Sequence, residues 1–96
     1  MTSKQRAYLK SKASTMDPIF QIGKSSVTDE NMDAISEAIE KRELIKLHVL
    51  KNCMDDPNEI ARVIAQNINA EVVQVIGKKI VLFKQKRKDS AYHLPR

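Results

Sequence analysis

The sequence predicts a single α+β domain in which helices pack on one four-stranded mixed sheet. It has 96 residues, of which 42% are apolar and 30% are charged, the size and composition of one small globular domain. Apolar residues recur at helical spacing in some segments and alternate with polar residues in others, in the order α-β-α-β-α-β-β. A chain of this length buries roughly 65% of the surface of its unfolded state, which suffices for one core. We therefore expect residues 1–96 to form one domain.

The first two predicted elements are a helix and a short strand. Residues 3–15 contain neither Gly nor Pro and carry apolar residues at helical spacing, which predicts a helix capped by Thr2 or Ser3. Pro18 ends this pattern, and residues 19–22 then predict a strand.

The start of the second helix is the best-marked local feature. Thr28 is placed to cap it, and Asp29 and Glu30 complement the positive end of its dipole. Val27 and Met32 have the spacing of a hydrophobic staple. The predicted buried stripe comprises Met32, Ile35 and Ile39, and the predicted solvated acidic side comprises Asp33, Glu37 and Glu40.

The second half of the chain predicts a strand, a helix and a hairpin. Residues 44–50 alternate, which predicts a strand with one buried face, formed by Ile45, Leu47 and Val49. The third helix is predicted to start with Asp56 as its cap, Pro57 at its first position and Glu59 as the reciprocal acid of a capping box. Its predicted buried stripe comprises Ile60, Ile64 and Ile68, and Asn69 is predicted to end it. Two β-rich runs at 71–76 and 79–84, separated by Gly77-Lys78, predict a tight hairpin. We expect residues 86–96 to form a basic, flexible tail.

Charge is segregated along the chain. The 17 Lys and Arg residues and 12 Asp and Glu residues give a net charge of +5. Residues 1–27 carry a net +4 and residues 72–96 a net +6, whereas residues 28–71 carry a net −5. If the two basic ends meet on one face, this pattern favours a polyanionic partner such as nucleic acid, although a basic end also occurs as a purely solubilising segment.

Several protein classes are disfavoured. A single cysteine, Cys53, forms neither an internal disulfide nor a zinc site with several thiolates. No apolar run approaches the roughly 18 residues of a membrane span, and the first residues lack the apolar stretch of a signal peptide. We expect a cytoplasmic protein, a monomer, with no membrane association.

No catalytic or metal-binding constellation is recognisable. His48, Cys53 and His93 lack the spacing of paired metal ligands, and no histidine is placed by a known signature to activate the cysteine. Gly23-Lys24-Ser25 resembles the end of a phosphate-binding P-loop, but Pro18 stands where the first glycine is required. We therefore expect no enzyme, no metal and no cofactor.

Two features nevertheless favour contact with phosphate. The loop Gly23-Lys24-Ser25-Ser26 places backbone N–H groups and a lysine before a helix start, which favours anions, although a plain turn with a solvated lysine has the same sequence. A sheet that stacks successive bases needs more aromatic residues on one surface than this chain offers. If the partner is a nucleic acid, we therefore expect recognition of its backbone and shape, since the only aromatic residues are Tyr8, Phe20, Phe83 and Tyr92.

Four short motifs occur in a specific order: Ile22-Gly23-Lys24 followed by Val27-Thr28, Arg42-Glu43-Leu44-Ile45-Lys46, Val73-Gln74-Val75-Ile76-Gly77-Lys78 with Ile80-Val81-Leu82-Phe83-Lys84, and Leu94-Pro95-Arg96. Together they resemble the YhbY-like proteins, bacterial stand-alone forms of the CRM domain (chloroplast RNA splicing and ribosome maturation). The resemblance covers nearly the whole chain.

This resemblance implies a fold similar to the C-terminal domain of translation initiation factor three. It also implies RNA binding and association with precursors of the large ribosomal subunit. A GxxG loop of the family, thought to contact RNA, aligns with Gly23-Lys24-Ser25-Ser26. Ser26 replaces the second glycine, and its Cβ makes a positive φ costly, while its hydroxyl adds a hydrogen-bond donor.

The predicted function is RNA binding in assembly of the large ribosomal subunit, through phosphate and shape contacts to structured rRNA, with ribosomal proteins as further partners. An alternative is a protein adaptor that docks on a ribosomal protein or an assembly GTPase through the acidic helix around Glu37 and Glu40. The predicted RNA-binding residues are Gly23, Lys24, Ser25, Ser26 and Thr28 at the loop, Arg6 and Lys10 on the first helix, and Lys84, Lys86 and Arg87 after the last strand.

Overall fold

A computed structural model describes residues 1–96, and its elements follow the predicted order. The order confirms the α+β class with three helices and four strands. The elements are α1 (Ser3–Ala13), β1 (Phe20–Ile22), α2 (Asp29–Arg42), β2 (Leu44–Val49), α3 (Pro57–Ile68), β3 (Glu71–Ile76) and β4 (Lys79–Phe83).

The four strands form one mixed sheet in the order β1-β2-β4-β3. β1 runs parallel to β2, and the other two pairs are antiparallel. The predicted hairpin joins β3 to β4: Ile76 pairs with Lys79 across a two-residue turn, in which Gly77 has a φ of +55°. Glycine adopts this conformation without the steric cost that a Cβ would add.

The main core lies between one face of the sheet and the helices α2 and α3. Ile45, Leu47 and Val49 of β2 point into it, as the alternation predicted. The predicted helix stripes meet them there, with Met32 half-buried at the margin and Ile35, Ile39, Ile60, Ile64 and Ile68 buried. Burial of each of these side chains contributes roughly 1.5–3 kcal/mol before the loss of conformational entropy is subtracted.

A second, smaller core lies on the opposite face of the sheet, beneath α1. Leu9 and Ala13 of α1 are buried against Leu44, Val81 and Phe83. The prediction that β2 buries only one face was therefore incomplete, because α1 covers the first residue of that strand. The rest of this sheet face is left open beside α1, with Lys46 and His48 half-buried.

The helix starts follow the predicted caps with one exception. Thr2 forms a capping box with Gln5, and Thr28 Oγ1 accepts a hydrogen bond from the N–H of Asn31 at 3.0 Å. Asp56 caps α3, but the predicted reciprocal bond from Glu59 was wrong. The Glu59 carboxylate instead lies 2.8 Å from Arg62, one turn further along the exposed side of the helix.

Element ends differ from prediction by a few residues. α1 ends at Ala13 because the Ser14 hydroxyl donates to the carbonyl of Ser11 at 2.7 Å, a local bond that competes with helix continuation. β1 begins one residue later than predicted, and β2 and β4 each end one residue earlier. Asn69 ends α3, as predicted, and adopts the left-handed conformation that is common at helix ends.

Residues 84–96, here called the C-terminal segment, have no helix or strand but are attached to the domain. Tyr92 and Leu94 pack on the core beneath α1, and the Tyr92 ring meets the Phe83 ring edge-on at 5.6 Å between centroids. The buried Glu43 carboxylate accepts hydrogen bonds from the N–H groups of Lys86 and Ala91, at 3.0 and 2.8 Å. These long-range contacts contrast with the free tail expected over residues 86–96.

Candidate nucleic-acid interface

The loop at residues 23–26 leaves the sheet at the end of β1 and leads into α2. The N–H of Ser26 donates to the carbonyl of Gly23 at 2.9 Å, which closes a tight turn. Lys24 and Ser25, at the centre of this turn, are exposed. Ser26 has a φ of 56°, in the left-handed region that glycine adopts without steric cost. The turn therefore places a residue with a Cβ in a strained backbone conformation.

At the start of α2, behind the loop, side-chain oxygens already interact with the first turn of the helix. Thr28 Oγ1 is engaged by the N–H of Asn31, and Asp29 and Glu30 occupy the first turn. These carboxylates satisfy much of the positive end of the helix dipole. The exposed positive charge of the loop is therefore that of Lys24, which takes part in no ion pair.

An acidic groove adjoins the loop on the side of α3. Its apolar floor includes Val27, Ile60 and Val63, and its other lining residues are Ser26, Asp55, Asp56 and Glu59. Asp55 and Asp56 take part in no ion pair, whereas Glu59 lies 2.8 Å from Arg62. The two unpaired carboxylates repel an anion that approaches the loop from this side.

The opposite side of the sheet presents a basic surface that the sequence analysis did not single out. Between the last turns of α1 and the open part of the sheet lies a groove, here called the α1–sheet groove, to which Lys10, Lys46 and Lys79 contribute. None of these three lysines takes part in an ion pair. The groove has no acidic lining residue, and its remaining lining residues are Ala13, Ser14, Gln74, Ile76 and Val81.

The two sides of the molecule therefore differ in charge. α1 contains no acidic residue, and Glu71 is the one acidic residue in the strands. Eight of the 12 acidic residues lie on α2, on α3 or directly before α3: Asp29, Glu30, Asp33, Glu37, Glu40, Asp55, Asp56 and Glu59.

The predicted basic residues after β4 lie at the other end of the sheet from the loop. β4 runs antiparallel to β2, so Lys84 follows it at the end where β2 begins. Its Nζ is 2.6 Å from a carboxylate oxygen of Glu40 on α2, which neutralises part of its charge. Lys86 and Arg87 are exposed, and Arg87 lines a groove together with Met1 and Gln5 of the N-terminal region.

Arg6 has a structural contact that the sequence did not indicate. Its Nη1 donates to the carbonyl of Val72 and, at 3.0 Å, to that of Val73, where the register of β3 shifts between Val72 and Gln74. A register shift leaves backbone groups of a strand unpaired, and the guanidinium of Arg6 supplies donors for them. Arg6 thus ties α1 to an edge strand of the sheet.

The predicted site residues consequently form three groups, and Arg6, bound to the backbone of β3, belongs to none of them. Gly23, Lys24, Ser25, Ser26 and Thr28 are contiguous at the end of β1, and Lys10 lies in the α1–sheet groove. Both chain ends pack on the α1 side of the sheet, but Lys84, Lys86 and Arg87 are at the end of the sheet opposite the loop. Lys46 and Lys79 were missed because their proximity depends on the pairing of β2 with β4.

Other chemistry has little structural basis. Cys53 is a free, buried thiol, and no group of three or more potential metal-ligating side chains occurs. None of the three helices combines the length and the apolar composition that a membrane-spanning helix requires.

Comparison with known proteins establishes the family. The sequence model of the CRS1/YhbY (CRM) domain family matches residues 1–84. The chain belongs to the CRM domain family. This confirms the resemblance drawn from the sequence motifs, and the matched region includes the loop, the α1–sheet groove and the whole sheet.

Relatives of this CRM domain carry names that refer to RNA. It is 43% identical to YqeI of Bacillus subtilis, named a probable RNA-binding protein, over 99% of both chains. It is 33% identical to a probable RNA-binding protein of Methanocaldococcus jannaschii, over 88% of this chain and 63% of that one. The solution structure of a Staphylococcus aureus protein proposed to bind RNA superposes with a TM-score of 0.84 at 42% identity, covering 99% of each chain.

Proposed function

We propose that this CRM domain binds structured RNA through its phosphate backbone, and that its target is rRNA in precursors of the large ribosomal subunit. The observation that carries the RNA proposal is the charge asymmetry across the sheet. The α1–sheet groove has unpaired lysines and no acidic lining residue, whereas eight of the 12 acidic residues lie on α2, on α3 or directly before α3. The names of its relatives support RNA as the partner. The assembly role rests on the family resemblance.

Lys24 is the residue of the loop that contacts phosphate in this proposal. It is exposed, unpaired and held at the centre of a closed turn. A phosphate contact carries no base information, so Lys24→Ala should weaken binding to different structured RNAs by a similar factor. Lys41→Ala is the matched control, because Lys41 is also an exposed lysine but pairs with Glu37 on α2, 3.7 Å away.

Fluorescence anisotropy with two unrelated RNA hairpins over a series of salt concentrations measures both effects. With roughly four phosphate contacts, the slope of log K against log salt should be about −3 to −4 for the wild type. Lys24→Ala should reduce its magnitude by about 1, and Lys41→Ala should leave it unchanged. A wild-type slope near zero, or a loss confined to one hairpin, would contradict phosphate recognition.

The assembly proposal is tested by sedimentation of the endogenous protein in a cell extract. We expect migration with particles at or just below the large subunit, lost after RNase treatment or at raised salt. Migration only at the top of the gradient, even at low salt, would refute it.

A protein adaptor is the second candidate function. The acidic groove favours it, because an apolar floor with three carboxylates around it fits a basic, partly apolar peptide of a ribosomal protein. RNase separates the two candidates: a complex held by the acidic groove survives RNase treatment, and one held by RNA does not.

A further inference from the structure

The part of the sheet that α1 leaves uncovered has a concentration of positive charge that the fold itself does not use. Lys46 and His48 stand two residues apart on β2, so they point to the same side of the sheet, about 7 Å from each other. Lys79 is the direct cross-strand partner of His48, at a spacing of about 5 Å. Lys10 approaches the same groove from α1.

The positive charges of these lysines are not paired with carboxylates of the protein. The three ion pairs of the molecule involve other residues, and the groove contains no carboxylate. Lys46 and Lys79 are half-buried, so their charges are less screened by water than those of fully exposed lysines. Like charges that share one face of a sheet repel each other, which opposes folding of the free protein.

The surroundings of the charges fit a polynucleotide strand. Ile76, the cross-strand neighbour of Lys79, is 60% exposed and offers an apolar contact beside the cations. Gln74 adds an uncharged hydrogen-bonding group to the groove lining. The β3–β4 turn and the end of β1 lie at the same end of the sheet. Val49, at the end of β2, donates its N–H to the carbonyl of Lys78 in the turn and pairs with Ile22 at the end of β1. The groove therefore opens toward the end of the molecule that carries Lys24.

We propose that the α1–sheet groove is a second RNA-binding surface, in which Lys10, Lys46 and Lys79 contact successive phosphates of the RNA whose backbone also meets the loop at Lys24. This proposal rests on the proposed RNA-binding function and deepens it. It places the RNA across the open sheet beside α1, away from the acidic groove. Relief of the repulsion among the lysines then adds to the binding free energy.

The test is the double variant Lys46→Met/Lys79→Met. Methionine keeps an unbranched apolar stem in the groove and removes the charge, so packing is retained. We expect the magnitude of the salt slope for RNA binding to fall by about 1.5–2, with weaker affinity for every structured RNA tested. We also expect a melting temperature equal to or above that of the wild type, a combination that damage to the fold would not produce.

Lys41→Met/Lys12→Met is the control for total charge. It removes the same number of positive charges at exposed positions, one on α2 and one on α1 outside the groove lining, and should leave the slope almost unchanged. The groove proposal would be overturned if Lys46→Met/Lys79→Met bound RNA with the salt slope and affinity of the wild type. If Lys24→Ala then still bound more weakly, the proposed function would remain intact. Absence of RNA binding by the wild type at low salt would overturn both.

Lysine acetylation followed by mass spectrometry gives a second readout on the unmodified protein. RNA should protect Lys10, Lys46 and Lys79 from acetylation and leave Lys41 as reactive as in the free protein. Equal reactivity of the three groove lysines with and without bound RNA would also overturn the proposal.

Discussion

Ser26 holds a strained backbone conformation in the loop at residues 23–26. Its φ of 56° costs an L-residue about 1–2 kcal/mol, whereas glycine adopts the same conformation freely. A glycine also lowers the free energy of unfolding by about 0.4–1 kcal/mol, because it gives the unfolded chain more conformational freedom. The relief of strain is therefore the larger effect.

We expect Ser26→Gly to be more stable than Ser26→Ala by about 0.5–1 kcal/mol. Both variants lack the hydroxyl, so their difference isolates the cost of a Cβ at positive φ. Urea denaturation of the two proteins measures it. A Gly variant less stable than the Ala variant would show that the positive φ of this position is not a source of strain.

Glu43 is the second residue with an unusual environment. Its side chain is 1% exposed, and burial alone would raise the pKa of the carboxyl group. Hydrogen bonds from Ser90, Ala91 and Lys86 outweigh burial and lower the pKa below its ordinary value. A carboxyl group with a lowered pKa in the folded state stabilises the protein above its ordinary pKa, and this contribution is lost as the pH falls through the lowered value.

Glu43→Gln should therefore destabilise the protein by about 1–3 kcal/mol at neutral pH, because N–H donors of the C-terminal segment lose a charged acceptor. Lowering the pH should reduce the stability of this variant less than that of the wild type. Thermal unfolding between pH 2 and pH 7 tests both expectations. Glu40→Gln is the control, since Glu40 is an exposed carboxylate that forms an ion pair with Lys84. Equal acid sensitivity of Glu43→Gln and the wild type would contradict the role of the Glu43 carboxylate.

At the scale of elements, the sequence contained the information for the order and type of every helix and strand. Each depends on local patterns, such as the cap at Thr28, the Ile stripe of α3 and the glycine turn of the hairpin. The C-terminal segment is different, because its attachment depends on a carboxylate more than 40 residues away and on an aromatic contact with β4. A polar, basic composition alone could not indicate either partner.

The candidate site divides in the same way. The loop at residues 23–26 was predictable, because all its parts are adjacent in sequence. The α1–sheet groove was not, because Lys46 and Lys79 come together only through the antiparallel register of β2 and β4. Lys84 and Arg6 have the right charge for RNA, but contacts with Glu40 and with the backbone of β3 occupy them, and neither partner is marked in the sequence.

At the scale of the whole molecule, the sheet separates an acidic side from a basic side. The shorter dimensions of the molecule are 24 and 21 Å. Charges on opposite sides are therefore separated by more than the Debye length of about 8 Å at physiological ionic strength, but by less than the length of about 30 Å at 0.01 M. The acidic helices should influence RNA bound on the α1 side only at low salt.

The double variant Asp33→Asn/Glu37→Gln tests this separation, because both residues are exposed on α2 and lie outside the loop and all three grooves. We expect it to bind RNA more tightly than the wild type at 0.01 M salt, since long-range repulsion of the phosphates is reduced, and with the same affinity at 0.15 M. Titration of one RNA hairpin at both salt concentrations measures the difference. An equal gain in affinity at both concentrations would mean that α2 lies within about 8 Å of the bound RNA, and the RNA would then have to be placed on the α2 side of the sheet rather than across α1.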